Sequence, residues 1–145
     1  MSKNCINILL VEDNEGDIVL AREVLDDIKI INKVAVARDG EEALNYLYNS
    51  CNNQTKDALP DLVFLDINMP KVNGFEVLIK MKRDNLLKVI PVIMLTTSSA
   101  ERDIRFSYEN YANCFITKPV GMEEFMEVIQ KIENFWISIA KLPCN

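Results

Sequence analysis

The sequence predicts a doubly wound α/β fold: a parallel five-stranded sheet of order 2-1-3-4-5 between two layers of helices, built as a (βα)5 repeat. Three observations predict it. Short, almost wholly apolar runs recur five times. Stretches with helical spacing of apolar residues separate them. Several runs stop abruptly at carboxylates or hydroxyls, as strands do when their C-terminal ends line a functional edge. Strands covered on both faces read as continuous apolar runs, and alternating βα units force parallel pairing with right-handed crossovers.

Residues 6–11 give the first strand, which runs straight into Glu12-Asp13. Ile18, Leu20-Ala21, Val24-Leu25 and Ile28 follow at helical spacing, and residues 34–37 give the second strand. Gly40 marks a helix start or a turn, and Ala43-Leu44 and Leu47 follow at helical spacing. Residues 50–60 are polar and aperiodic and read as a loop inserted before the third strand, at 62–65. That strand delivers Asp66, and Asn68-Met69-Pro70 then breaks the chain away. Gly74 marks a helix start or a turn, and Phe75, Leu78-Ile79 and Met81-Lys82 follow at helical spacing. Pro91 fits the first residue of a fourth strand at 92–95, since proline is tolerated at a strand start. A fourth helix begins near Ala100, and residues 114–116 give the fifth strand.

The last helix, 121–140, carries Met122, Phe125, Met126, Val128, Ile129, Ile132, Phe135, Trp136, Ile137 and Ile139. These sweep wider than the roughly 100° stripe a surface helix needs against its own core. The surplus either packs under Leu142-Pro143 or meets a second subunit or partner.

A chain of 145 residues, 49% hydrophobic and 26% charged, fits one domain with a real core, and nothing after the fifth helix reads as an output domain. A net charge of −6 argues against nucleic-acid binding, which depends on Lys and Arg neutralising phosphates. The N-terminal apolar run is too short for a secretion signal or a membrane span, so a cytoplasmic protein is expected. Cys5, Cys51, Cys114 and Cys144 lack C-x-x-C spacing and read as reduced thiols, with Cys51 in the loop. There is no histidine, so the chain is neither its own phosphohistidine carrier nor a His-based catalyst.

With strands 1 and 3 adjacent, Glu12, Asp13 and Asp66 share one pocket at the topological switch point. Crowded carboxylates call for a cation, and an all-oxygen site with open water positions suits Mg²⁺. Strand 4 brings Thr96-Thr97-Ser98-Ser99 to the same edge, and strand 5 brings Thr117-Lys118-Pro119. Asp66 attacking a phosphoryl group whose oxygens are met by Mg²⁺, Lys118 and Thr96 is a coherent chemistry, because phosphoryl transfer needs positioning and electrostatics above all. Singly each residue has a plain structural reading, such as Thr-Thr-Ser-Ser as a helix cap. Their order on neighbouring strand ends is what carries the function.

Together, Glu12-Asp13, Asp66-Ile67-Asn68-Met69-Pro70, Asn73-Gly74, Thr96 and Lys118-Pro119 resemble the receiver domain of two-component response regulators, over nearly the whole chain. The resemblance implies a flavodoxin-like fold and makes Asp66 the phosphoacceptor. Asp13, Asp66 and the Asn68 carbonyl would be metal ligands, with Glu12 a supporting acid behind them. Lys118 would pair with the phosphoryl group. Thr96 would move its hydroxyl towards it, and Phe115 would be the aromatic that turns inward on activation. The Thr97 backbone, with Asn68, would face the phosphoryl group, and both residues would tune its lifetime. Pro119 would follow a cis peptide bond. Phenylalanine at 115 stands where tyrosine is common, which removes a hydroxyl.

Ser107-Tyr108, the stretch 112–120 and Phe135-Trp136 are similar to the stand-alone receivers that serve phytochrome-type sensor kinases. The partners implied are a sensor histidine kinase, docking near Glu15 to Asp17 and Pro119, and a second copy of the chain meeting the fourth helix, fifth strand and fifth helix. Other classes compete. An aspartyl-phosphate hydrolase would also use Asp and Mg²⁺, but it typically needs Asp-x-Asp on its first strand, whereas Asn68 stands two past Asp66. A nucleotide or flavin module would need a glycine-rich loop where acidic Glu12-Asp13 stands. An interaction module that ignores phosphorylation would have no need of Asp13, Asp66, Thr96 and Lys118 together.

Overall fold

A computed structural model describes residues 6–26, 31–52, 59–67, 69, 72–96, 105–106, 108–110, 114–117, 127 and 131, with residues 31–32, 51–52, 96 and 114–117 described by their backbone alone. The elements run β1 (Ile6–Val11), α1 (Glu15–Asp26), β2 (Ile31–Ala37), α2 (Gly40–Asn52), β3 (Leu62–Asp66), α3 (Gly74–Arg83), β4 (Val92–Thr96) and β5 (Cys114–Thr117). All neighbouring strands pair in parallel, in the order β2-β1-β3-β4-β5. The expected doubly wound sheet is therefore the observed one.

Side-chain alternation divides the sheet into two cores. Leu9, Val11, Val63, Leu65, Val92 and Met94 pack with Ala43, Leu44 and Leu47 of α2 and Val77, Leu78 and Met81 of α3. Ile6, Ile8, Leu10, Leu62, Phe64, Ile93 and Leu95 pack with Ala21, Val24 and Leu25 of α1. Successive strand residues face opposite sides, so a continuous apolar run feeds both layers. In numbering, the α1-side rows continue to Asp66, the last residue of β3, and to Glu12, the first residue past β1.

The helices start where short polar side chains can cap them. Asn14 Oδ1 accepts from Asp17 N–H at 2.9 Å ahead of α1. Asp39 Oδ1 accepts from Glu42 N–H at 2.7 Å, while Glu42 Oε1 accepts from Arg38 N–H at 2.8 Å, so the start of α2 is closed from both sides. Asn73 Oδ1 accepts from Glu76 N–H at 3.0 Å as the N-cap of α3. At the opposite edge of the sheet, Asn7 and Asp61 bond reciprocally. Asp61 N–H donates to Asn7 O at 2.7 Å, and Asn7 N–H donates to Asp61 Oδ2 at 2.8 Å.

Four local expectations are corrected. α2 continues to Asn52, so Ser50 and Cys51 are helical and not in the loop. Ser50 is buried, and its hydroxyl donates to Tyr46 O at 2.9 Å, satisfying inside the helix a group that reads as a loop signal. β2 begins at Ile31, three residues early: Ile31 pairs with Ile6 and Lys33 with Asn7, so the register irregularity between Ile6 and Asn7 steps over polar Asn32 and breaks the apolar run that marks a strand in the sequence. Leu20 is exposed and not part of the buried stripe of α1, which is Ile18, Ala21, Val24 and Leu25. Pro91 sits just before β4, its carbonyl accepting from Val63 N–H at 3.0 Å. The extra apolar flank of the last helix lies outside the described residues, of which Glu127 and Lys131 are helical and exposed. Among the described residues no helix is long and apolar enough to cross a membrane.

After α3, Asp84 Oδ1 accepts from Leu86 N–H at 2.8 Å and Leu87 N–H at 3.0 Å, folding a turn that buries Leu87. Lys82 ties this turn down, its ammonium donating to Ile90 O at 2.8 Å and Lys88 O at 3.1 Å. Partial burial of the Lys82 amine lowers its pKa from the ordinary 10.5. The unfolded chain therefore binds more protons than the folded one between the lowered pKa and 10.5, and stability rises with pH across that window. Lys82→Met, which keeps the stem packing, is expected to lose this dependence. Urea denaturation from neutral pH upward should show wild type gaining on the variant as pH approaches 10.5; parallel curves would refute it.

Candidate phosphoacceptor site

β1 and β3 pair with Val11 opposite Leu65, so the next residues along, Glu12 just past β1 and Asp66 at the end of β3, stand side by side at the sheet edge. One oxygen from each of Glu12, Asp13 and Asp66 lies within 4.8 Å of the others. Glu12 is 2% exposed and Asp66 3%, whereas Asp13 faces solvent, so two carboxylates form a floor and the third a rim. Like charges at this separation in a partly dry pocket repel strongly, and a cation removes the repulsion. The donors are all hard oxygens with an open side towards water, which fits a divalent ion such as Mg²⁺ or Mn²⁺ and not a soft metal.

The loop bearing these acids is held by its neighbours. Glu12 N–H donates to Ala37 O at 3.0 Å, and Glu12 Oε2 accepts from Asn14 N–H at 3.1 Å. One Glu12 oxygen is thus engaged in shaping the loop, which suits a supporting acid better than a direct ligand. Just beyond, Arg38 grips Glu15 through Nε (3.2 Å to Oε1) and Nη2 (3.0 Å to Oε1, 3.1 Å to Oε2), joining the end of β2 to the start of α1. The pair is exposed and of little weight for stability.

The sheet brings the other expected residues towards the same edge as far as it describes them. Asp66 pairs with Leu95, Ile67 N–H donates to Leu95 O at 3.0 Å, and Thr96 is the next residue of β4, opposite Thr117. Phe115 pairs with Met94 inside β5. Asn68, Thr97, Lys118 and Pro119 lie outside the described residues.

One feature of the site escaped the sequence reading. Gly74 N–H donates to Ile67 O at 2.9 Å, and a Cβ on Gly74 would run into the Asp66 carbonyl oxygen and stand 2.8 Å from Ile67 Cα. Gly40 is pressed against Val72 in the same way, its Cβ position overlapping the Val72 carbonyl. Gly74 thus lets α3 close directly onto the backbone that carries Asp66, while Gly40 lets α2 close onto the loop at Val72. The Asn73-Gly74 pair was the available signal, but it marks a helix start without saying what the helix touches.

Residues 8–130 match the family model of the response regulator receiver domain. The chain belongs to the response regulator receiver family. This receiver is 40% identical over 136 residues to the response regulator Rcp1 of Synechocystis sp., a match covering 94% of this chain and 92% of Rcp1. Its fold superposes on the crystal structure of the phosphorylated cyanobacterial phytochrome response regulator RcpA with a TM-score of 0.81 and 42% identity, covering 96% of this chain and 99% of that one. The Mn²⁺-bound form of Rcp1 gives the same TM-score at 39% identity and the same coverage. The receiver is flavodoxin-like, as its strand order requires, and receivers of this family are phosphoacceptor signalling proteins of two-component systems. Their phosphoryl donors are histidine kinases, and the Glu12, Asp13 and Asp66 cluster fits the divalent-metal site of such a domain.

Proposed function

We propose that Asp66 is the phosphoacceptor of this receiver and that its donor is a phosphohistidine on a phytochrome-type sensor histidine kinase. One observation carries the assignment: Asp66 is the acid at the end of the central strand, buried yet within reach of the Glu12 and Asp13 oxygens. An Asp66 carboxylate oxygen attacks phosphorus, a P–O bond forms, and the P–N bond to the donor imidazole breaks. The imidazole takes up a solvent proton as it leaves. Asp13, Asp66 and the Asn68 carbonyl would hold Mg²⁺, with Glu12 fixing the loop behind them. When bound, Mg²⁺ neutralises the charge that would otherwise repel the incoming phosphoryl group. Lys118 and the Thr96 hydroxyl meet its oxygens, with the Thr97 backbone beside them, and Phe115 follows Thr96 inward. Turnover is confined to slow self-phosphorylation and self-dephosphorylation. The output is a changed surface, read by a partner or a second copy of the chain. The kinase type is supported by the likeness to the phytochrome response regulator RcpA.

Incubation with Mg²⁺ and acetyl phosphate, borohydride trapping and peptide mapping should place a single modification on Asp66. Trapping on Glu12 or Asp13, or labelling indifferent to chelation, would sink the assignment. Size-exclusion chromatography of the same sample reads dimerisation.

A further inference from the structure

The phosphoacceptor strand is in backbone contact with α3, and α3 is in ring contact with a helical stretch on the surface. Gly74 rests on the Asp66 carbonyl and donates its N–H to Ile67 O. The adjoining residue, Phe75, is packed against the α2/α3 core and meets Phe106 edge-on, with ring centroids 4.5 Å apart and planes at 60°. Phe106 sits in a stretch where residues 105, 106, 108 and 109 are helical. Its carbonyl accepts from Asn110 N–H at 3.1 Å and Asn110 Nδ2 at 2.9 Å. The same stretch presents Arg105, Tyr108 and Glu109 to solvent. A continuous line of contact therefore runs from Asp66 to an exposed surface through Gly74, Phe75 and Phe106, and it uses neither Thr96 nor Phe115.

We propose that the Phe75–Phe106 ring pair transmits the state of Asp66 to the surface at residues 105–110. The inference rests on Asp66 being the phosphoacceptor. A phosphoryl group on a carboxylate that is 3% exposed must displace something. The strand is fixed laterally by its pairing to β1 and β4. At Gly74, backbone meets backbone, where no side chain can rotate to absorb a shift, so the first turn of α3 moves with Asp66. Phe75 rides on that turn. Edge-to-face rings depend on their relative orientation, so Phe106 is driven to repack rather than slide.

Hydrogen exchange with and without Mg²⁺ and beryllofluoride, a phosphoryl mimic, tests this in the full chain. Fluorine NMR and protection of residues 62–67 report whether the adduct forms. Wild type should change its exchange at 105–110 on adduct formation. Phe106→Ala and Phe106→Leu should form the adduct equally well with that change reduced by roughly twofold or more. Phe106→Tyr, which keeps the ring, should behave as wild type. Phe106→Leu preserves apolar volume, so its result stands even if the alanine variant fails to fold. An adduct with no change at 105–110 in wild type, or an undiminished change in Phe106→Leu, overturns the proposal. Absence of any adduct in wild type removes the Asp66 assignment and this route with it.

Discussion

Asp66→Asn is expected to abolish Mg²⁺-dependent labelling by acetyl phosphate or by a phosphorylated kinase, leaving the fold intact. The amide matches the carboxylate in shape but has no anionic oxygen to attack phosphorus, and the neighbouring acids do not replace it. Glu12 already spends an oxygen on Asn14 N–H, and Asp13 stands on the exposed rim. The substitution also removes one of three negative charges whose oxygens lie within 4.8 Å. At an effective dielectric of about 20, one such pair is worth roughly 3 kcal/mol before other partners are counted. Without Mg²⁺ the variant should therefore be more stable than wild type, by on the order of 1 kcal/mol. Mg²⁺ should stabilise it less, because a ligand is gone. Intact mass reads the first effect and urea denaturation with and without Mg²⁺ the second. Full labelling of Asp66→Asn would place the acceptor elsewhere.

Gly74→Ala is expected to be the costliest small substitution at the site. Alanine is favoured over glycine inside a helix by about 1 kcal/mol, but the added methyl would overlap the Asp66 carbonyl and crowd Ile67 Cα at 2.8 Å. Both obstacles are backbone, so relief means moving the strand end or the first turn of α3. The cost belongs at or above the top of the ~1–3 kcal/mol typical of overpacking. A net loss of about 2 kcal/mol or more is expected, along with slower phosphorylation because Asp66 shifts. Gly16→Ala is the natural control. Among the described residues a methyl there meets Asn14 Oδ1 at 3.2 Å, a side-chain atom that can shift by a few tenths of an ångström at some cost to its bond from Asp17 N–H, so the net effect should be small. Equal stability of the two variants in urea would show that α3 does not press on Asp66.

The contrast marks what could be read in the residue order. Carboxylates after apolar runs announced Glu12, Asp13 and Asp66, because an apolar strand has no packing reason to finish in an acid. The neighbouring of β1 and β3 then followed from topology. The α1 stripe was legible at Ile18, Ala21, Val24 and Leu25, whereas Leu20 shares their apolar character and points outward, a matter of angle that composition does not record. The end of α2 was hidden because Ser50 and Asn52 are poor helix formers, and the Ser50 bond to Tyr46 O shows how the helix keeps Ser50. Arg38 and Glu15 stand 23 positions apart, so nothing local announces their grip. Gly74 was seen as a start signal, while its contact with Asp66 depends on where α3 comes to lie.

The reciprocal Asn7–Asp61 bonds give β3 an anchored root. Beyond them the strand is flanked by β1 and β4 along its length, and its tip carries Asp66. The tip is held as well, since Asp66 pairs with Leu95, Ile67 N–H donates to Leu95 O, and Gly74 N–H donates to Ile67 O. Asp66 therefore lies between two fixed points, the Asp61 clamp five positions before it and the Ile67 bonds one position after it, and its carboxylate is presented to Glu12 and Asp13 from a backbone pinned on both sides.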